Sequence, residues 1–379
     1  PQTYPTVYGS GYGFYIYAEN RTTNPYRPGT LKFENCIAHN VPADGFKAHA
    51  VDTAYFINCD SYNNMDTLTT DGDVGGQGTG FNLGTSDRLS DNADACYISL
   101  FGCRAWNCSD QGYAVGADAQ WVMENCWSFN NGNNPLATND TRKGSGIKLW
   151  YTSLIPGENK RNELDVVQVI IRNCLFVSNA YSGINWCTTG TPNRDPEIRA
   201  HIYNNFIYNN IYYVYNFSPA VAHGYGILDE LNDVDTLGRW DHRYWNNISY
   251  FNSPPDSKYD NINGVIQPDR SASYNQFDIP GSPVRDTWFM SLDTTGMLGV
   301  HTRKPDGSLP DTDFGKPAPG SPLIDAGFNV SEFSEMEGIS PLLYEGSAPD
   351  IGWAEYTSGI PAEPTFLNAV IENAAPSRI

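Results

Sequence analysis

The chain has 379 residues, 17% charged and 13% aromatic, with a formal net charge of -20 and a pI near 4.5. The aromatic content alone supplies apolar surface for a core and excludes a disordered chain. The acidic balance excludes nucleic acid, whose binders need a basic stripe to displace counterions, and it repels an acidic polysaccharide unless a cation such as Ca²⁺ bridges the two.

No stretch approaches the roughly 20 apolar residues of a helical membrane span. The opening at Pro1, with no initiator Met and no h-region, suits a trimmed, secreted product, and an extracellular or cell-surface location is expected. Six sequons, at Asn20, Asn107, Asn139, Asn216, Asn247 and Asn329, permit glycosylation. Tyr15 and Tyr17 already read as mid-strand, so the first coil lacks its beginning.

From there one unit recurs, a short alternating strand ending in Asn-Cys or Asn-Asn followed by a second strand ending in Asn. Its copies are LKFENCIAHN (31–40), AYFINCDSYNN (54–64), WVMENCWSFNN (121–131), VIIRNCLFVSN (169–179), AHIYNNFIYNN (200–210) and RYWNNISYFN (243–252), with ISLFGCRAWN (98–107) a variant and SYNQFD (273–278) a shortened last copy. A second unit follows each: GFKAHA (45–50), GFNLGT (80–85), GYAVGA (112–117), GIKLWY (146–151) and GINWCT (183–188). Cys36 to Cys59 is 23 residues, as is Cys103 to Cys126, the length of one coil with three short strands; longer gaps imply loops inserted at one corner. The leading Gly suits a corner needing positive φ, and the Asn suits a turn whose amides bond along a column. The fold class is therefore all-β, a right-handed parallel β-helix with inserted loops and an irregular C-terminal closing segment.

Of eight cysteines, Cys36, Cys59, Cys126 and Cys174 share one local pattern and are expected in an internal column, as small hydrophobes. Cys103 and Cys108 are close enough in sequence to pair, and no spacing suggests zinc. The β-helix is assigned to 1–280. An irregular segment, 281–356, carries PAPGSPLIDAG (317–327) and PDIGWAEY (349–356) and is expected to fold back over the last coils. A linker and the possible start of a β-sandwich domain occupy 357–379.

The segment from Asn35 to Gly84 resembles the family 9 polysaccharide lyases, the pectate lyase-like right-handed β-helix proteins. It has AlaAspGlyPheLys at 43–47, PheIleAsnCys at 56–59 and GlyGlnGlyThrGlyPheAsnLeuGly at 76–84, with Glu19 one coil earlier. The resemblance covers about residues 14–280 and implies cleavage of a uronic-acid glycan by β-elimination. In that chemistry Ca²⁺ on the uronate carboxylate stabilises the developing enolate, and a Lys accepts the C5 proton. By resemblance Glu19 and Asp44 fill two calcium-ligand positions. Ala43 and Lys47 stand where the family has Asp, and Asn82 stands where it has its catalytic Lys.

Three readings of these departures stay open. In one, Lys47 replaces the metal electrostatically, and a desolvated amine there can also serve as a base. In another, the site has moved to Lys148, in the same strand column two coil steps beyond Asn82, preceded by Arg142 and Lys143 and followed by Trp150 and Tyr151 as sugar platforms. In the third, the site is inactive; a lone Lys on a strand is more often simply solvated. The loop MDTLTTDGDVGGQG (65–78) carries Asp66, Asp71 and Asp73, which suit either calcium ligands or a plain turn. Asp87, Arg88, Asp91 and Asp94 form a second polar insertion flanking the same groove. His49 and His223 have no carboxylate at a readable spacing and read as incidental.

Two functions compete. One is a secreted lyase acting on an acidic polysaccharide, with Tyr and Trp rings as stacking platforms. The other is a non-catalytic solenoid that forms a surface structure or filament, because open solenoid ends are unpaired edges satisfied by end-to-end self-association.

Overall fold

The computed structural model describes residues 11–17, 29–49, 51, 53–66, 77–84, 96–116, 119–132, 144–151, 169–188, 198–210, 212–213, 222–223, 225–229, 240–252, 262–263, 272–273, 284–295, 302–330 and 341–357. A short alternating strand buries one face only, so each coil must stack on the next. The chain does this as a right-handed β-helix of three parallel sheets. Sheet A runs through Phe14–Tyr17, Phe46–His49, Phe81–Gly84, Tyr113–Gly116, Ile147–Tyr151, Ser182–Thr188, Tyr225–Asp229 and Ile262–Asn263. Sheet B begins at Thr30–Glu34 and Thr53–Ile57 and ends at Trp240–Trp245 and Ala272–Ser273. Sheet C begins at Ile37–His39 and Asp60–Tyr62 and ends at Ile248–Tyr250.

Register is set by what points inward. Along sheet A, Phe14, Phe46, Phe81, Tyr113, Ile147, Ile184 and Ile227 pair strand to strand. Their first four rings stack 4.7, 4.8 and 5.0 Å apart. A slip of one residue would turn these rings to the outside and bring polar neighbours in, so the repeat holds itself in register.

The Asn corners follow from backbone sterics. Asn35, Asn58, Asn125, Asn173, Asn204 and Asn246, between sheets B and C, all have φ between 51° and 54°. That is the left-handed region, which Asn enters more readily than other side chains. Gly102 takes this place, at φ 62°, in the variant copy. The next corner repeats the device with Asn40, Asn63, Asn107, Asn130 and Asn209. The Gly that opens each sheet A strand has a different reason from the one expected: Gly45, Gly80, Gly112, Gly146 and Gly183 are not at positive φ. They are required for space. A Cβ on Gly45 would lie 2.0 Å from Ser61 Oγ, and one on Gly112 would lie 2.2 Å from Ser128 Oγ.

Inside the first corner Cys36, Cys59, Cys103, Cys126 and Cys174 are free, and the last four are fully buried. Asn205 and Asn247 continue this column, with the Asn205 amide donating to Asn247 Oδ1 at 2.9 Å. Cys108 is also free and lies at the other corner, in hydrogen-bond contact with Asn64. Parallel stacking assigns Cys103 and Cys108 to different columns, so the pairing their closeness in sequence suggests does not form. At that second corner a ladder of buried amides, Asn131 to Asn179 to Asn210 to Asn252, links successive coils at 2.9, 2.9 and 2.8 Å. Such groups are costly to bury unless paired, and here each satisfies the next.

The described residues of 284–295, 302–330 and 341–357 pack on the outer faces of sheets C and B. Trp288, Phe289, Phe314, Leu323 and Ile351 pack on Trp106, Phe129, Phe206 and Ile248 of sheet C. Val330, Leu342 and Phe328 pack on Val122, Ile170, Tyr203 and Trp245 of sheet B. Each such large apolar side chain contributes about 1.5–3 kcal/mol when fully buried. Arg303 fastens the segment, donating from Nη2 to Asp60 Oδ1 at 2.6 Å and to the Cys59 carbonyl at 3.1 Å. Both apolar clusters are built on sheets B and C, and neither includes the outward column of sheet A.

Candidate functional site on the outer face of sheet A

Between the inward rings of sheet A, one outward residue per strand forms a column: Tyr15, Lys47, Asn82, Ala114, Lys148, Asn185 and Leu228. Residues dozens of positions apart thereby become neighbours about 4.8 Å apart. Asp44 sits at the corner before its strand, and Gly45 after it continues the ladder by donating to the Thr79 carbonyl at 2.9 Å. The missing Cβ of Gly45 lets that corner close against Ser61, which holds Asp44 at the edge of the column.

Asp44 is 1% exposed. Its Oδ1 accepts from the Thr79 backbone N–H at 3.1 Å, and its Oδ2 accepts from the Asn82 amide at 2.9 Å. The Lys47 ammonium stands 3.7 Å from the same Oδ2. Burial raises this carboxyl above the usual carboxylate range, against Lys47, Asn82 and Thr79, all of which favour the ionised form. Because the Asn82 amide nitrogen faces Asp44, its oxygen faces His49, whose Nε2 lies 3.0 Å away. That arrangement places the His49 proton on Nε2. Lys47 also donates to the Tyr12 hydroxyl at 3.5 Å and lies over the Tyr12 ring, 4.9 Å from its centroid. Thr79 carries the network one step further, its hydroxyl donating to Asp110 at 3.4 Å.

Of the residues marked out by sequence, the fold brings Asp44, Lys47 and Asn82 together. Lys148 lies in the same column as Lys47 and Asn82, two strands beyond Asn82. Trp150 and Tyr151 end that strand, in register with Cys187 and Thr188, and their side chains lie outside the described residues. Glu19, Asp71, Asp73 and Arg88, with Asp87, Asp91 and Asp94, also lie outside the described residues. Asp66 is buried at the edge of its loop, its backbone N–H donating to Ser109 Oγ at 3.1 Å.

His49, in register with Gly84, reaches across to the Asn82 side chain and so joins the cluster around Asp44, a contact its sequence spacing did not signal. Tyr12 was missed as well. The signal for it was GlyTyrGlyPhe at 11–14, whose Gly13-Phe14 repeats the Gly45-Phe46 corner and so places Tyr12 one coil before Asp44.

A calcium ion asks for six to eight oxygens, several of them from carboxylates. Asp44 has both oxygens engaged by fixed donors, and an ammonium faces it. No group of three His, Cys, Asp or Glu residues able to hold a metal occurs among the described residues. The described side chains around Asp44 do not make a calcium site.

The family model for the Pel9A-like, right-handed β-helix region matches residues 12–227, more than half of the chain. The chain belongs to this Pel9A-like family. Pectate lyase L of Dickeya dadantii (strain 3937) is 27% identical over 258 residues, which cover 68% of this chain and 47% of the relative. The Pel9A-like chain thus spans about half the length of that curated protein. Among solved structures it is similar to pectate lyase Pel9A, with a TM-score of 0.56 and 22% identity over 87% of this chain and 68% of that one. A rhamnogalacturonan lyase aligns with a TM-score of 0.51 and 24% identity, covering 76% of this chain and 63% of that one. At these identities the two structures establish the fold, which is that of polysaccharide lyases.

Proposed function

We propose that the protein is an extracellular lyase that cleaves a uronic-acid glycan by β-elimination on the outer face of sheet A. The observation that carries this reading is the convergence of Asp44, Lys47 and Asn82, with Asn82 hydrogen-bonded and Lys47 ion-paired to Asp44, within the segment matched by the Pel9A-like family. Lys47 and Lys148 are the cationic side chains of one outward column, suited to meet a substrate's carboxylates or to accept a proton. In this reading Trp150 and Tyr151, which follow Lys148 in the sequence, serve as sugar platforms and Arg88 as a substrate contact, with Glu19, Asp71 and Asp73 as the further candidate metal ligands.

The test is incubation with polygalacturonate, rhamnogalacturonan and other uronic polysaccharides, with and without Ca²⁺, following ultraviolet absorbance of the unsaturated product. Product from at least one acidic glycan is expected. Silence on all of them would end the lyase reading.

A second reading, a non-catalytic solenoid of the cell surface that associates end to end, is favoured by the engagement of both Asp44 oxygens and by Asn82 at the position of the family's Lys. Filaments in negative stain, with no product on any glycan, would decide for it.

A further inference from the structure

We infer that Lys47 is the site's own cation, binding the carboxylate of a single uronate directly, with the Tyr15 ring as platform for that sugar and no divalent ion between them. This rests on the reading of sheet A as a uronate-glycan groove, and it specifies how an acidic protein holds an acidic ligand there.

The chain's net charge of -20 opposes any polyuronate at long range, so binding needs a local positive charge. A bridging cation would need several carboxylate oxygens facing the ligand, whereas Asp44 is 1% exposed and turns its two oxygens inward to Thr79 and Asn82. Lys47 supplies the charge instead. Its side chain is 17% exposed while that of Asp44 is 1% exposed, so the solvent-facing end of the pair is the positive one.

Its contacts to Asp44 Oδ2 and Tyr12 Oη are long, 3.7 and 3.5 Å. An ammonium has three N–H donors, and one so loosely held can turn a short charge-assisted bond toward an incoming carboxylate. The Tyr12 ring beneath it favours the cation at that spot.

Tyr15 is the preceding member of the same column, in register with Lys47, and is 53% exposed. Its ring stacks on Tyr12 at 4.7 Å and 18°, so one face is backed by protein and little side-chain freedom remains to be lost on binding. Charge for the carboxylate and a backed ring for the sugar therefore stand one strand apart.

The experiment is calorimetric titration of the full chain with a short oligogalacturonate and with its methyl ester, in EDTA and in CaCl₂. The acidic probe should bind in EDTA, with an affinity that CaCl₂ leaves within about twofold. Lys47→Gln should weaken it about 10-fold or more, as expected for loss of a charged hydrogen bond, with Lys47→Arg restoring part of the loss. The methyl ester should bind more weakly to the wild-type chain and be indifferent to Lys47→Gln, and Tyr15→Ala should weaken both probes. Binding of the acidic probe only with CaCl₂, or binding unchanged in Lys47→Gln, would overturn the inference and leave the groove reading standing. No binding of either probe under any condition, with no unsaturated product from any acidic glycan, would remove both. Because the ester comparison uses the wild-type chain, it decides the charge question even where a variant folds poorly.

Discussion

Asp44 and Asp60 belong to the same coil and are both buried, yet their surroundings are opposite. Asp60, on sheet C, accepts two bonds from Arg104, at 2.8 and 2.6 Å, and more from Arg303 of the closing segment. Burial pushes its carboxyl upward, but the two guanidiniums prevail and hold it below the usual range. Asp44 has one distant ammonium and neutral donors, so burial wins and its carboxyl is held above that range. A doubly clamped carboxylate fastens the closing segment. One buried against a loosely held, part-exposed lysine leaves charge available to a ligand.

This contrast is open to attack in several ways. Asp60→Ala leaves Arg104 and Arg303 without their shared carboxylate and should cost about 3–5 kcal/mol in urea unfolding. Asp44→Asn should cost no more than about 1 kcal/mol by the same measurement, and equal losses would abolish the distinction. Lys47→Gln should leave the urea midpoint nearly unchanged while lowering turnover of the cleaved glycan by about 10²-fold, the scale of a lost electrostatic stabiliser.

Titration separates the same two residues by sign. The folded pKa of Asp60 is depressed, so its contribution is present above its unfolded value and is lost as pH falls through the folded one. For Asp44 the folded pKa is raised. Its contribution is complete below the unfolded value and is lost as pH rises through the folded one, so Asp44→Asn should gain on wild type as pH climbs toward neutrality.

Glu355 extends the second case to the closing segment. Burial, then the nearby Asp350, pushes its carboxyl up to about 8, while its Oε1 accepts from the Asp350 backbone N–H at 3.1 Å. The stability it contributes is therefore present below its unfolded value and lost as pH rises through about 8. Hydrogen exchange of the 347–356 amides should quicken between about pH 6 and about pH 9 relative to the sheet amides.

The smallest effect concerns a corner. Phe251 sits at φ 59° where most other coils have Asn, and the residue is 47% exposed. Phe251→Asn should raise stability by about 1 kcal/mol, read as a shift in the urea midpoint.

Much of the scaffold was legible because its rules are local. Asn before Cys marks a left-handed corner, alternation marks an inward face, and the 23-residue spacing marks a coil. The Gly before each sheet A strand was also legible, but for the wrong reason: whether it serves φ or space depends on Ser61 or Ser128 arriving from another strand. Cys103 and Cys108 misled in the same way, because nearness in sequence says little in a solenoid whose columns join residues 23 to 48 apart, as Cys103 to Cys126 and Cys126 to Cys174. Of the site, Asp44, Lys47 and Asn82 were readable from the family-like corner, whereas His49 and Tyr12 were not. His49 meets Asn82 33 residues away, a separation set by the length of the loop inserted between them.

By itself the sequence determined the repeat, its turn chemistry and the column that Lys47, Asn82 and Lys148 share, because each follows from a residue's own backbone preference and a period of two along the strand. Only the tertiary structure decided which carboxylate meets which cation. Asp44 and Asp60 are alike as residues, and what separates them is Arg303, more than two hundred residues downstream, lying over one and not the other. Electrostatic character belongs to the assembled surroundings, where burial and partner geometry jointly set the energy of a charge.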